Sequence, residues 1–290
     1  MRLGFVGVGK MGQPMAGHLL EAGHSVAACD LSPALVQAIV ARGATAAATP
    51  AAAARDAEVV FSSLPDDAAL RAVAKGVLSG ARPGTIYIDT STVSPTASAE
   101  VAALAGESRI DYLRVAVSGN NKMAEQAALT VIASGDKAAY EKCRPLLALF
   151  GPGQYYVGEA EQAKALKLAV NLMVYATIAG LGEALAIGRR NGLDWSQMID
   201  VMAASAIGSP LLKAKSSALK ARDFTATFDC LQARKDLTLI NGAAAAGGVS
   251  APVAAAAARL IEDCIANGSA GEDYAAMIEA VERSVSRPTV

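Results

Sequence analysis

Three residues in the middle of the chain have the types needed to move a proton. Lys164, Lys167 and Asn171 are spaced by three and four, which places them on one face of a helix. Leu168, Val174 and Tyr175 lie near the edges of that face, so it is not a plain solvated stripe. A lysine held against an apolar wall has its pKa lowered, because desolvation disfavours the ammonium. Such a lysine takes and returns a proton near neutral pH, as interconversion of an alcohol and a carbonyl requires. An asparagine one turn away orients the lysine or holds a substrate oxygen. Lysines on exposed helix faces are also ordinary, and spacing alone leaves both readings open.

The first thirty residues carry a second chemistry. Gly7, Gly9 and Gly12 have the G-x-G-x-x-G spacing and follow a short apolar run, Leu3 to Val8. A helical segment from Lys10 to about Ala22 comes next, then a second strand, Ser25 to Cys29, running into Asp30. One glycine permits the turn, one lets backbone N–H groups approach a pyrophosphate, and one lets helix pack on strand. Phosphates then sit at a helix N-terminus, where unsatisfied N–H groups favour negative charge. The strand before, the helix after and the acid 18 residues past Gly12 separate this motif from a structural turn. The residues expected around the dinucleotide are Gly7, Val8, Gly9, Lys10, Met11, Gly12 and Asp30, with Leu64 and Pro65 at a later strand end. Asp30 accepts hydrogen bonds from ribose hydroxyls and repels a 2′-phosphate, which favours NAD over NADP. No arginine follows it until Arg42. Asp30 or Ser32 also suits a cap for the next helix, with Pro33 at its first position.

These groups need elements to position them. Residues 1 to about 160 alternate strand-like runs with helical segments: Glu58 to Leu64, Thr85 to Asp89, Tyr112 to Val117 and Leu129 to Ala133 follow the first two strands. That alternation predicts an α/β, doubly wound Rossmann sheet. Leu64-Pro65, Thr90-Ser91-Thr92 and Ser118-Gly119-Asn120 all fall at strand ends, where such sheets bind ligands. The texture changes after Gly158. One long helical pattern runs from Glu161 to about Arg190, and segments at about 195–205, 209–220, 231–246, 252–267 and 272–284 are also helical. The prediction is a dinucleotide-binding domain over 1–160 and an all-α substrate and oligomerisation domain over 161–290, joined through the long helix.

Composition excludes other classes. A net charge of −1 without a basic cluster argues against nucleic acid or an anionic membrane as partner. Cys29, Cys143, Cys230 and Cys264 are far apart and read as buried residues of a reducing compartment. With two histidines in all, His18 and His24, metal catalysis has few ligands. The apolar stretches are alanine-rich and read as buried helices rather than membrane spans. A first strand starting at residue 2 leaves no room for a signal peptide, so a cytoplasmic protein is expected.

The whole chain resembles the β-hydroxyacid dehydrogenases, a family that includes 3-hydroxyisobutyrate, tartronate semialdehyde and glyoxylate/succinic semialdehyde reductases. The resemblance rests on Gly4 to Ala16, Asp89-Thr90-Ser91-Thr92-Val93-Ser94-Pro95, Val117-Ser118-Gly119, Lys167-Leu168-Ala169-Val170-Asn171 and Lys235-Asp236-Leu237. It implies that Lys167 is the general acid/base, supported by Asn171, with Lys164 in reserve. It implies that Ser118, Gly119 and Asn120 hold a substrate carboxylate, and that Thr92 lies between cofactor and substrate. Lys235 would approach the cofactor, and Phe228 and Asp236 would line the closing side. A homodimer or homotetramer is implied as well. Each residue also has a plainer reading: Ser118-Gly119 as a turn, Thr92 as a helix cap, Lys235-Asp236 as a surface pair.

The chain departs from the family pattern. Asn120 and Ala127 stand where glycines are usual, and only Gly158 is kept in the glycine-rich approach to the lysine. The stretch from Ser209 to Lys235 has the spacing of the glyoxylate/succinic semialdehyde branch, whereas Cys29-Asp30-Leu31 replaces that branch's Asn-Arg-Thr. The implied reaction is NAD-dependent hydride transfer between a small β-hydroxy acid and its semialdehyde or keto form. An imine reductase of the same fold and a non-catalytic dinucleotide-binding module are the alternatives. Keeping Lys167 argues against both.

Overall fold

The computed structural model describes residues 1–285. Two compact units divide it, Met1–Lys167 and a second beginning at Leu168. The first opens with β1 (Arg2–Val6), α1 (Gly12–Glu21), β2 (Ser25–Cys29), α2 (Pro33–Val40), β3 (Thr45–Ala46), α3 (Pro50–Ala54) and β4 (Val59–Ser62). It continues with α4 (Asp67–Gly80), β5 (Ile86–Asp89), α5 (Pro95–Glu107), β6 (Asp111–Ser118) and α6 (Asn121–Glu125). Then come β7 (Thr130–Ser134), α7 (Lys137–Leu147), β8 (Gly153–Tyr156) and the start of α8 (Gln162–Arg190).

The eight strands form one sheet in the order β3-β2-β1-β4-β5-β6-β7-β8. All pairs are parallel except β6 with β7. Chain order runs outward from β1 in both directions, so the switch point lies between β1 and β4. The inner strands are apolar on both faces, as a sheet covered by helices on both sides requires. Phe5, Phe61, Ile88 and Leu113 are register partners across four strands and share one core. Val60, Tyr87 and Tyr112 form the next row and face the opposite core. Helix starts are set by side chains: Asp66, Ser94 and Asp136 accept the backbone N–H groups of Ala69, Ala97 and Ala139.

The second unit contains the rest of α8 with α9 (Trp195–Ala204), α10 (Pro210–Ala221), α11 (Cys230–Ala246), α12 (Pro252–Ala266) and α13 (Met277–Val285). Tyr175, Ile178, Leu181 and Leu185 of α8 pack there with Ile199, Leu237, Ile261 and Ile278. Trp195 Nε1 donates to the Leu219 carbonyl, and the Arg222 guanidinium lies 4.2 Å from the indole centroid. Among the described residues α8 is the one helix long and apolar enough to cross a membrane. Its first turn is bound to the sheet, and Tyr175, Ile178, Leu181 and Leu185 further along it pack in the helical core.

The structure differs from the sequence reading in two places. β3 and β8 were not expected; the first has two residues, and the second is bounded by Gly153 and a turn. The first compact unit runs on into α8 as far as Lys167. The first turn of α8 is tied to the sheet: Ser134 Oγ accepts the Ala163 N–H, and Arg114 Nε donates to Glu161 Oε1 at 2.7 Å.

The packing of α1 on β1 has a direct test. A Cβ at Gly12 would lie 2.0 Å from the Gly7 carbonyl oxygen and 3.2 Å from the Phe5 ring. Gly12→Ala is expected to destabilise the first unit by about 1–3 kcal/mol, read as a lower urea midpoint. An unchanged midpoint would refute the close approach.

Candidate active site at the carboxyl end of the sheet

The glycine loop follows β1 at the switch point. Gly7 has φ +88°, donates its N–H to the Cys29 carbonyl, and leaves no room for a Cβ beside the Ser63 carbonyl oxygen at 2.3 Å. Gly12 is required by packing. Gly9 is different: its φ is not positive, and nothing lies within 4 Å of a Cβ placed on it. The fold does not need a glycine there, whereas a ligand lying against the backbone does. This is the fit expected for a pyrophosphate at the start of α1.

Asp30 ends β2 and faces this loop. Its Oδ2 accepts the Val8 N–H at 2.9 Å and its Oδ1 accepts the Ser32 N–H at 2.9 Å. The second bond sets the turn into α2, where the Ser32 side chain makes no capping bond. The carboxylate therefore braces the glycine loop and the α2 turn together, and each oxygen keeps a lone pair for a hydroxyl donor. Arg42 is held by Glu21 Oε1 at 2.7 Å. Lys10 and Leu31 beside this crevice are exposed.

The loops after β4 and β5 are joined through a buried carboxylate that the sequence reading did not single out. Asp89 Oδ1 accepts from Ser62 Oγ at 2.7 Å and Ser91 Oγ at 2.6 Å. Ser91 Oγ in turn accepts the Leu64 N–H at 2.8 Å. Thr90 Oγ1 donates to the Ser62 carbonyl at 2.7 Å. Leu64, Pro65 and Thr92 thus sit on loops fixed to one another, with Pro65 exposed and Thr92 half-buried.

Lys164 completes this cluster. It is 1% exposed, and its Nζ reaches Asp89 Oδ2 at 2.8 Å and the carbonyls of Asp89, Ser91 and Val115 at 3.0, 2.9 and 2.9 Å. Burial pulls its pKa below the ordinary lysine value, and the Asp89 carboxylate opposes that pull. Four acceptors around three protons leave none to give a substrate, so Lys164 is removed as an acid/base candidate. Lys167, three residues on, is 9% exposed and ends the first unit.

The Ser118-Gly119-Asn120 segment follows β6. Gly119 has φ +144°, and a Cβ on it would meet Leu129 at 2.7 Å. Asn120 does not present a free amide oxygen: its Oδ1 accepts the Met123 N–H at 3.0 Å and caps α6. Ala127, the other departure, adopts φ +51°, a left-handed conformation that glycine takes without strain.

The remaining predicted residues lie in the second unit. Asp236 is 1% exposed. Its Oδ2 accepts from Asn171 Nδ2 at 2.7 Å and from Tyr175 Oη at 3.0 Å. Lys235 Nζ lies 3.1 Å from its Oδ1, an ion pair without hydrogen-bond alignment. Burial and the Asp236 charge push the Tyr175 hydroxyl well above its usual pKa, so it stays a donor. A carboxylate that only accepts fixes which end of the Asn171 amide faces it. Phe228 packs edge-on to Tyr274, which packs edge-on to Tyr175. Spacing alone had marked Tyr175 only as an apolar neighbour. Among the described residues no group of three or more His, Cys, Asp or Glu side chains is arranged to hold a metal ion.

The chain is similar along nearly its whole length to known proteins. Residues 2–158 match the NAD binding domain of 6-phosphogluconate dehydrogenase, and residues 162–281 match the NAD-binding family of NADP-dependent 3-hydroxyisobutyrate dehydrogenase. The 2-(hydroxymethyl)glutarate dehydrogenase of Eubacterium barkeri is 36% identical over 98% of this chain and 95% of its own. The chloroplastic glyoxylate/succinic semialdehyde reductase 2 of Arabidopsis thaliana is 31% identical over 98% of this chain and 80% of its own. A structure of Mycobacterium tuberculosis 3-hydroxyisobutyrate dehydrogenase with L-serine has a TM-score of 0.89 at 30% identity, covering 96% of this chain and 98% of that one. A Myxococcus stipitatus imine reductase, at 20% identity and a TM-score of 0.65 over 96% of this chain and 98% of its own, shares the fold alone. The chain belongs to the β-hydroxyacid dehydrogenase family, nicotinamide-dependent oxidoreductases acting on CH–OH groups.

Proposed function

We propose that this protein uses NAD to interconvert a small β-hydroxy acid and its semialdehyde or keto form, with Lys167 as the general acid/base. The observation that carries the proposal is the clustering within one unit of the glycine loop, the Leu64 and Thr92 loops, the Ser118-Gly119 turn and the α8 turn that bears Lys167. NAD, when bound along Gly7 to Gly12, supplies the hydride acceptor. Lys167 Nζ takes the hydroxyl proton as the carbonyl forms, and returns it to the alkoxide in the reverse direction. Ser118 and the Gly119 N–H hold the substrate carboxylate, and the Asn120 cap keeps that turn in place instead of touching substrate. Asn171 supports Lys167 from the next turn of α8. Asp236, buried under Asn171 and Tyr175, acts by orienting the amide.

The preference for NAD follows from Asp30 and from the engagement of Arg42 with Glu21. A 2′-phosphate would meet the Asp30 carboxylate, and the Arg42 guanidinium is already paired with Glu21. By their names, the relatives act on small carboxylic acids, which supports a substrate of that class. A cytoplasmic homo-oligomer, binding neither nucleic acid nor membrane, is the expected setting. Leu166, Met173 and Ile187 are spaced by seven and fourteen residues along α8 and are 40%, 65% and 65% exposed. They form an apolar stripe suited to a second copy.

Four outcomes are expected. Lys167→Ala should lower turnover by orders of magnitude, with NADH binding retained by fluorescence titration. The assay follows NADH at 340 nm with 3-hydroxyisobutyrate, 3-hydroxypropionate, glycerate, serine, threonate and 4-hydroxybutyrate, and with glyoxylate and succinic semialdehyde in reverse; a fully active variant would sink the assignment. Gly9→Ala should leave the urea midpoint unchanged and weaken NADH binding, while Asp30→Ala should narrow the preference for NAD over NADP; intact cofactor binding in both would displace the site. Light scattering should give more than one chain per particle, and a monomer would refute the stripe's role.

A further inference from the structure

Lys164 is a buried titratable group that the reaction does not use. Its surroundings are unusual for a lysine next to an active site. All four oxygens within 3.0 Å of Nζ are acceptors, so the site is built for an ammonium that never leaves it. Those oxygens come from the end of β5, from the loop after it and from β6. Through Asp89 and Ser91 the same cluster extends to Ser62 and to the Leu64 backbone. One charge therefore touches the loop that carries Thr92 and the strand that leads to Ser118.

Helix geometry passes this constraint on. Lys167 is three residues further along α8, less than one turn and about 4.5 Å along the axis. A helix turn is stiff, so fixing Lys164 to the β5 loop fixes the Cα of Lys167 relative to Thr92. The neighbouring ties differ: Ala163 bonds to Ser134 on β7, and Glu161 pairs with Arg114 on β6. They hold the start of α8 on the sheet without reaching the β5 loop. Losing Lys164 would leave the helix attached but free to shift against Thr92.

We propose that Lys164 is a positioning residue, whose buried ammonium sets the placement of Lys167 against the loop after β5. This rests on the reading of Lys167 as the acid/base. The role differs from stability alone, because it concerns the rate at each competent site.

The test uses Lys164→Met and the double variant Lys164→Met/Asp89→Asn, in which both buried charges are gone. NADH fluorescence titration counts competent sites, and kcat per site is measured with NADH and whichever of glyoxylate or succinic semialdehyde reacts faster. Lys164→Met should keep its NADH affinity and lose roughly 10–100-fold in kcat per site. The deuterium isotope effect with cofactor deuterated at the transferred position should rise, since proton transfer and hydride transfer become limiting. The double variant should regain thermal stability yet remain slow. Parental kcat per site in either variant overturns the proposal, as does a double variant that recovers rate and stability together. If Lys164→Met does not fold, the double variant decides. Full activity in Lys167→Ala would instead remove the underlying reading, and that variant leaves Lys164 untouched.

Discussion

The carboxyl end of the sheet is organised around a charge that water does not reach. Removing an ammonium and a carboxylate from water costs several kcal/mol per ion. Lys164 and Asp89 offset that cost with a complete set of partners. The ammonium has four oxygens, and the carboxylate receives two hydroxyls besides the lysine. Such an arrangement contributes little net stability compared with apolar residues of the same volume, but it is directional. Apolar packing tolerates small slides; this cluster does not. It is placed where three loops and a helix must keep fixed distances, and removing one partner would strand the other charge.

Most of the fold was legible because its signals are local. Buried parallel strands give short apolar runs, and Gly7, Gly9 and Gly12 occupy a turn whose geometry is decided within a few residues. The extent of α8 followed from an uninterrupted helical pattern ending at Asn191-Gly192. The site was less legible because side-chain partners come from distant strands. Spacing placed Lys164 and Lys167 on related faces of one helix but did not say what covers each. Asp89 read as the last residue of a strand, and its burial depends on α8 folding back across 75 residues of chain. The same applies to Asp236, whose partners Asn171 and Tyr175 lie on another helix.

The departures from the family pattern become local matters in the structure. Asn120 replaces a glycine but supplies the cap of a five-residue helix, which has few other means of satisfying its first N–H groups. Gly158, the glycine retained before α8, has φ +142°, and the Gln162 side chain folds over it to accept the Ala160 N–H at 2.7 Å. The polar side chain thus takes over the ordering of the segment that leads into α8. Ala127 has no such compensation, and its left-handed backbone is a small strain held by the α6–β7 turn.

Trp195 is the single tryptophan of the chain, and it lies entirely within the helical unit. Its indole is half-buried, hydrogen-bonded to Leu219 and stacked by Arg222. Its ultraviolet emission therefore reports on that unit alone, whereas the blue emission of reduced cofactor, bound as proposed, would report on the sheet. The proposed complex with reduced cofactor would carry two optical labels with separate addresses. Denaturation followed at both wavelengths resolves whether the units melt as one cooperative body or in sequence, without any dye or engineered probe.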